Sequence, residues 1–69
     1  MTIYYIKCPS GYWAGFEVRS SQHTYSYKKE DGVKFFSNDE AEIIAKSWVA
    51  SKLEKFTIEE VEYYEGNIV

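Results

Sequence analysis

One segment of this chain has the sequence pattern of a helix start, and most of the other segments have the pattern of β-strands. Residues 37–40 form a capping box, in which the Ser37 hydroxyl accepts from the amide of Glu40 and the Glu40 carboxylate reaches back. Apolar residues then recur at helical spacing, and we expect a helix over about residues 38–55. The residues predicted to form its buried face are Ala41, Ile44, Ala45, Trp48, Val49 and Leu53. One helix among strands points to a small α+β fold.

Strand patterns occupy most of the remaining chain. We predict strands over residues 2–8, 12–19, 22–29 and 56–64, and leave a further short strand at 33–36 open. The order is ββ(β)αβ, an antiparallel sheet of three to five strands with one helix packed on one face. Because there is a single helix, we expect the other face of the sheet to be uncovered.

The second predicted strand alternates with a period of two. The residues predicted to face the core are Tyr12, Ala14, Phe16 and Val18. The opposite face then carries Trp13, Gly15, Glu17 and Arg19. This alternation is typical of a half-buried antiparallel strand, and it predicts an exposed tryptophan.

The length of 69 residues allows one domain, residues 1–69, with a thin margin of stability. A lone core of this size rarely supplies more than roughly 3–5 kcal/mol. Cys8 is the only cysteine, so no disulfide can form within the chain. Cys8 and His23 are also too few for a four-ligand zinc site. Association with a second copy is therefore a candidate source of support.

Charge and hydropathy restrict location and partners. Residues 1–36 carry five basic and three acidic side chains, whereas residues 37–69 carry three basic and eight acidic ones. This balance argues against general binding to a phosphate backbone. The start of the chain lacks a signal-peptide pattern, and no apolar run approaches the length of a membrane span. We expect a cytoplasmic protein that does not bind a membrane.

The sequence shows no arrangement typical of an enzyme. His23 is the single histidine, and no serine or cysteine lies in a recognisable nucleophile motif. Strand alternation sends Glu60 and Glu62 to one face and Glu59 and Glu65 to the other, so they should not form a metal cage. No glycine-rich phosphate loop is present. We expect no catalytic residue, no metal site and no cofactor.

Aromatic residues are in surplus. Tyr, Phe and Trp make up 19% of the chain, more than so small a core can bury. Aromatic and arginine side chains are enriched in protein interfaces. We predict a partner-binding surface on the sheet formed by Trp13, Arg19, Tyr25 and Tyr27. An alternative for Trp13 is that it lies over Gly15 and shields the sheet backbone.

A second interpretation of the same aromatics is nucleic-acid binding. Tyr25 and Tyr27 lie close in sequence to Lys28, Lys29 and Lys34. Aromatics interleaved with lysines on an open sheet are typical of a stacking platform for single strands. The overall acidity and the lack of an RNP-type signature make this partner less favoured than a protein.

One position on the helix departs from the buried pattern. Ile43 lies roughly opposite the apolar face, beside Ser47 and Ala50. An exposed β-branched residue with small neighbours is suited to contact between two helices. These three residues are the predicted self-association surface of a homodimer, although a lone exposed isoleucine is also ordinary.

Several segments together resemble short open reading frames of phages and prophages. They are residues 5–7 and 11–16 and then residues 33–37, with Glu40-Ala41 at the helix start. Such proteins share an opening hairpin, a helix start and a last strand. The resemblance implies an accessory factor that binds and inhibits or modulates a host protein in the host cytoplasm, anti-defence proteins included. It implies no catalytic residue. A structural, self-assembling component is a further alternative.

Overall fold

A computed structural model of the chain describes residues 1–49 and 55–63. Its elements in chain order are β1 (Thr2–Cys8), β2 (Gly11–Glu17), β3 (Gln22–Ser26), a 3-10 turn (Lys29–Asp31), α1 (Asn38–Ile44), a π-helical turn (Ala45–Val49) and β4 (Thr57–Glu62). Within these ranges the four strands form one antiparallel sheet in the spatial order β3-β2-β1-β4. The predicted combination of an antiparallel sheet with an α-helix is confirmed.

The helix begins where the capping box predicts. The Ser37 hydroxyl accepts from the backbone N–H of Glu40 at 3.3 Å, and Asn38 is the first helical residue. Regular α-helix ends at Ile44, and the chain continues as the π-helical turn. The rest of the predicted helix, with Ala50 and Leu53, lies outside the described residues, as do the side chains of Trp48 and Val49.

The buried cluster joins the helix to the strands. Its members are Ile6, Cys8, Trp13, Phe35, Ala41 and Ala45. Both alanines are fully buried, because only a small side chain lets the helix backbone approach the strands closely. Half-buried residues, among them Tyr25, Ile44 and Ile58, pack around this cluster.

The face of β1 that points away from this cluster is also buried. Side chains alternate along a strand, so Ile3 and Tyr5 lie opposite Ile6 and Cys8. Ile3 is 3% exposed and Tyr5 is fully buried. The expectation of an uncovered second face is therefore wrong at these two positions. Tyr12 contacts the Tyr5 ring edge-on, with 6.1 Å between the ring centroids.

Candidate functional site

The hairpin formed by β2 and β3 diverges from β1. The two strands β1 and β2 pair through Lys7–Tyr12 and Cys8–Gly11. Beyond these pairs, Phe35 exchanges two backbone hydrogen bonds with Tyr4, at 2.8 and 3.0 Å. The residue two positions earlier, Val33, donates from its N–H to the carbonyl of Trp13 at 3.0 Å. Residues 33–35 thus lie between β1 and β2, and the predicted short strand at 33–36 is reduced to this bridge.

Trp13 is buried, which corrects the prediction that it is exposed. It is 4% exposed and its ring stacks on Phe35 with 6.3 Å between centroids. The cause is a β-bulge: Trp13 pairs with Tyr25, but the next pair is Gly15 with Thr24, so Ala14 is an extra residue. Because of this extra residue, side chains after the bulge point to the face opposite to the one that strict alternation from Trp13 predicts. A side chain this buried cannot form an open contact surface, so Trp13 leaves the partner-binding set.

The bulge brings Trp13 and Phe16 to the same face, where both meet His23. The indole N–H of Trp13 donates to Nδ1 of His23 at 2.9 Å, and the Phe16 ring meets the imidazole edge-on at 5.0 Å. An indole nitrogen is only a donor, so the imidazole proton must be on Nε2. That Nε2 is buried and has no hydrogen-bond partner among the described residues. Val18, predicted to face inward, is 80% exposed.

The hairpin tip, residues 18–21, is a four-residue turn. The Ser21 N–H donates to the Val18 carbonyl at 3.3 Å, and the Ser20 hydroxyl donates to the Glu17 carboxylate at 2.7 Å. Ser21 has a φ of 54°, in the left-handed region that favours glycine or asparagine. Val18 and Arg19 are both exposed there. The turn therefore holds an apolar and a cationic side chain in solvent at the cost of backbone strain.

The predicted partner-binding residues lie on this hairpin or, for Tyr27, directly after it, but they do not meet in one patch. Arg19 is at the tip, and Tyr25 is half-buried against the core cluster. Tyr27 is 86% exposed and follows the other end of β3. Arg19 and Tyr27 are eight positions apart in the chain, with β3 between them, so we estimate a separation of roughly 20 Å.

A polar cluster on the buried second face was missed by sequence reasoning. The Lys29 ammonium lies 2.7 Å from the Glu59 carboxylate, which also accepts from the Tyr12 hydroxyl at 3.0 Å. The hydrogen bond from Lys29 holds the pKa of Glu59 below its usual value, against the opposing effect of desolvation. The same bond raises the pKa of Lys29. These residues come from β2, the 3-10 turn and β4, so no local pattern could reveal the cluster.

The tyrosines of this face are held in their neutral form. Burial raises the pKa of Tyr5, and the hydrogen bond between its hydroxyl and that of Tyr63, at 2.9 Å, adds to the effect. Desolvation likewise raises the pKa of Tyr12, followed by its bond to Glu59. Ring contacts and neutral hydroxyls of this kind stabilise a sheet, and they suit a structural role.

The lysines of the nucleic-acid hypothesis do not form one basic surface. Lys29 is bound to Glu59, and the Lys34 ammonium donates to the Glu30 carbonyl at 3.1 Å. Lys28 is exposed beside the exposed Tyr27. Two of the three lysines therefore have acceptors within the protein, which counts against a stacking platform.

The predicted self-association surface is described in part. Ile43 is 63% exposed on α1, and Ser47 is exposed on the π-helical turn. Ala50 lies outside the described residues. The structure thus places an apolar side chain in solvent at Ile43, as the pattern predicted, and it does not test its role.

Over residues 1–49 and 55–63, no three His, Cys, Asp or Glu side chains are grouped so that they could hold a metal ion. In the same ranges no helix is long and apolar enough to cross a membrane. Comparison with known proteins finds no match to this chain among protein-family models, curated proteins or solved structures.

Proposed function

We propose that this chain is a protein-binding module that acts by stoichiometric binding, with the hairpin tip as its contact. The observation that carries the proposal is the tip itself, where Val18 is 80% exposed beside the exposed Arg19. Binding residues are often found on loops that a rigid scaffold positions. Here the scaffold is the hairpin, whose base is anchored by the buried Trp13 and its bond to His23.

Backbone strain at the tip supports the same proposal. Ser21 adopts a left-handed conformation that costs about 1 kcal/mol for a residue other than glycine. Strained residues cluster at binding and catalytic sites, where they fix a geometry in advance. A tip that is already ordered loses less entropy on binding, so more of its contact energy becomes affinity.

The partner in this proposal is a host protein, which the module inhibits or modulates. The resemblance to phage reading frames supports this choice, and with it an anti-defence role in the host cytoplasm. In this proposal the helix covers the face of the sheet that carries Ile6 and Cys8, and the hairpin projects into solvent. The proposal assigns no catalytic step and no cofactor to the chain.

Capture of partners from host lysate, with and without nuclease, tests the proposal when three proteins are compared. They are the wild type, a tip variant with Val18→Asp and Arg19→Glu, and a control with Phe36→Asp. Phe36 is also an exposed apolar residue, at 66%, but it lies next to the helix start. We expect a nuclease-resistant protein partner with the wild type and the control and its loss with the tip variant.

Equal recovery of the partner by the tip variant would contradict the placement of the contact. A partner that disappears with nuclease would instead favour binding of single strands, and its affinity should then fall steeply with salt. Recovery of this chain alone would favour the self-assembling alternative. Circular dichroism of each variant shows whether the fold is retained.

A further inference from the structure

A cleft lies at the end of the sheet where β1 finishes and β4 begins. Its volume is about 330 Å³, and the residues that line it, all in the described part of the chain, are Lys7, Cys8, Pro9, Lys55, Phe56 and Thr57. Sites for small ligands begin at about this size. Lys7 pairs with Thr57 across the two strands, and Lys55 precedes Thr57 by two positions. The sheet therefore brings two lysines that are distant in sequence to one cleft.

The walls of the cleft are apolar and its mouth is basic. Pro9 and the ring of Phe56 form apolar walls, and Phe56 is packed against the buried core cluster, which holds the ring in place. Lys7 and Lys55 are both exposed. A lysine lays its hydrocarbon stem on apolar surface and keeps its ammonium group in water. The two ammonium groups therefore lie at the rim of an apolar cleft.

The donors of the cleft have no acceptor within residues 1–49 and 55–63. In these ranges the Lys55 ammonium forms no ion pair or hydrogen bond, and the Thr57 hydroxyl forms no hydrogen bond. The Lys7 ammonium lies 5.5 Å from the centre of the Tyr12 ring, a contact that supplies no oxygen acceptor. Two cations and a hydroxyl are thus available to an acceptor that enters from solvent.

We propose that this cleft binds a small organic carboxylate. The apolar body of the ligand packs on Pro9 and Phe56, and its carboxylate accepts from Lys7 and Lys55 at the mouth. Charge selects an anion, and the apolar walls select an anion with an apolar body, since a bare phosphate gains nothing from them. The chain has a net charge of −3, so the two local lysines, rather than the overall charge, attract this ligand.

This site goes beyond the proposed function and lies away from the hairpin tip. The strand β2 begins at Gly11, which pairs with Cys8 beside the cleft, and ends at Glu17, next to the tip. Seven strand residues span roughly 20 Å. The tip variant with Val18→Asp and Arg19→Glu should therefore bind a carboxylate as the wild type does. Failure of partner capture and failure of the cleft are thus separate results.

Titration of the full chain with naphthoate, followed by heteronuclear NMR, tests the site. We expect saturable shifts of the backbone amides at residues 7, 8 and 55–57, with a Kd of about 0.1–1 mM. Lys55→Met should bind roughly fivefold more weakly, because it removes a cation and keeps a hydrocarbon stem. Lys28→Met is the matched control, since Lys28 is exposed after the end of β3 and does not line the cleft. The neutral probe naphthamide should also bind roughly fivefold more weakly than naphthoate.

Three results would overturn the site: shifts that do not saturate up to about 10 mM naphthoate, equal affinity of the wild type and Lys55→Met, or equal affinity for naphthoate and naphthamide. Inorganic phosphate that binds as tightly as naphthoate would also contradict it, because the apolar walls would then contribute nothing. The dispersion of the amide signals shows whether each variant is folded. The comparison with naphthamide uses the wild type alone, so it decides the question even if a variant unfolds.

Discussion

The two edges of the sheet differ in how they meet solvent. The edge β4 carries three glutamates, of which Glu59 binds Lys29 and Tyr12, and Glu62 accepts from Thr2 at 2.6 Å and from the N-terminus at 3.3 Å. The edge β3 carries no charge. Charged edge strands resist pairing with other chains. The contrast teaches that charge protects β4 against pairing with another strand, whereas Gln22–Ser26 of β3 carries no such charge.

The largest expected effect is at Gly11 of β2, which lies against Ser26 at the end of β3. Gly11 has a φ of 129°, and a Cβ placed there would lie 2.7 Å from the carbonyl oxygen of Ser26. Gly11→Ala should lower the free energy of unfolding by about 3 kcal/mol, because backbone strain and a backbone clash act together. Urea denaturation measures this change.

Gly15→Ala is the matched control for that variant. Gly15 has a similar φ of 127°, but a Cβ there would meet only the Thr24 hydroxyl, at 3.9 Å. The expected loss is about 1 kcal/mol, from strain alone. If both variants lost the same stability, the close approach of β2 and β3 at Ser26 would not matter.

The next effect concerns the anchor of the hairpin. His23→Leu removes the acceptor of the Trp13 indole N–H and leaves that donor buried. We expect a loss of about 1–3 kcal/mol in the free energy of unfolding. In a Trp13→Phe background, which has no indole N–H, the same change should cost much less. Equal losses in the two backgrounds would show that the hydrogen bond does not stabilise the hairpin.

A smaller, opposite effect is expected at the tip. Ser21→Gly removes a side chain from a left-handed position and should stabilise the protein by about 0.5–1 kcal/mol. For a domain of this size that corresponds to a rise in Tm of about 3–6 °C. Ser20→Gly, the control, lies at a position without positive φ and loses the bond to Glu17, so it should destabilise. A Tm that fell with Ser21→Gly would contradict the strain assigned to this turn.

The smallest expected effect concerns β4, where Glu59 forms an ion pair with Lys29. The hydrogen bond from Lys29 lowers the pKa of Glu59 from its ordinary value of 4.5. The stability that this pair contributes is therefore present above pH 4.5. It is lost as the pH falls through the lower pKa of the folded state. The pair is partly exposed, and we expect about 0.5 kcal/mol from it. Glu59→Gln should remove this part of the pH dependence. An unchanged acid profile in the variant would show that the ion pair contributes nothing measurable.

Local patterns predicted the elements, whereas contacts between distant residues decided the site. The cap at Ser37 and the strand segments are read from neighbouring residues, and the structure has them. The orientation of Trp13 is wrong in the prediction because Ala14 forms a bulge, which period-two counting does not detect. The presence of Gly15 is the one local signal in the sequence, since a glycine inside a strand often marks a bulge. The Lys29–Glu59 pair joins residues thirty apart, so only the fold reveals it.

Amide hydrogen exchange of β3, followed by NMR, tests the register that the bulge at Ala14 sets between β2 and β3 most directly. The account predicts that the amide of Thr24, which faces β2 beside Gly15, exchanges slowly. A Thr24 amide that exchanges at the unprotected rate would contradict this register, and with it the placement of Trp13 beside His23.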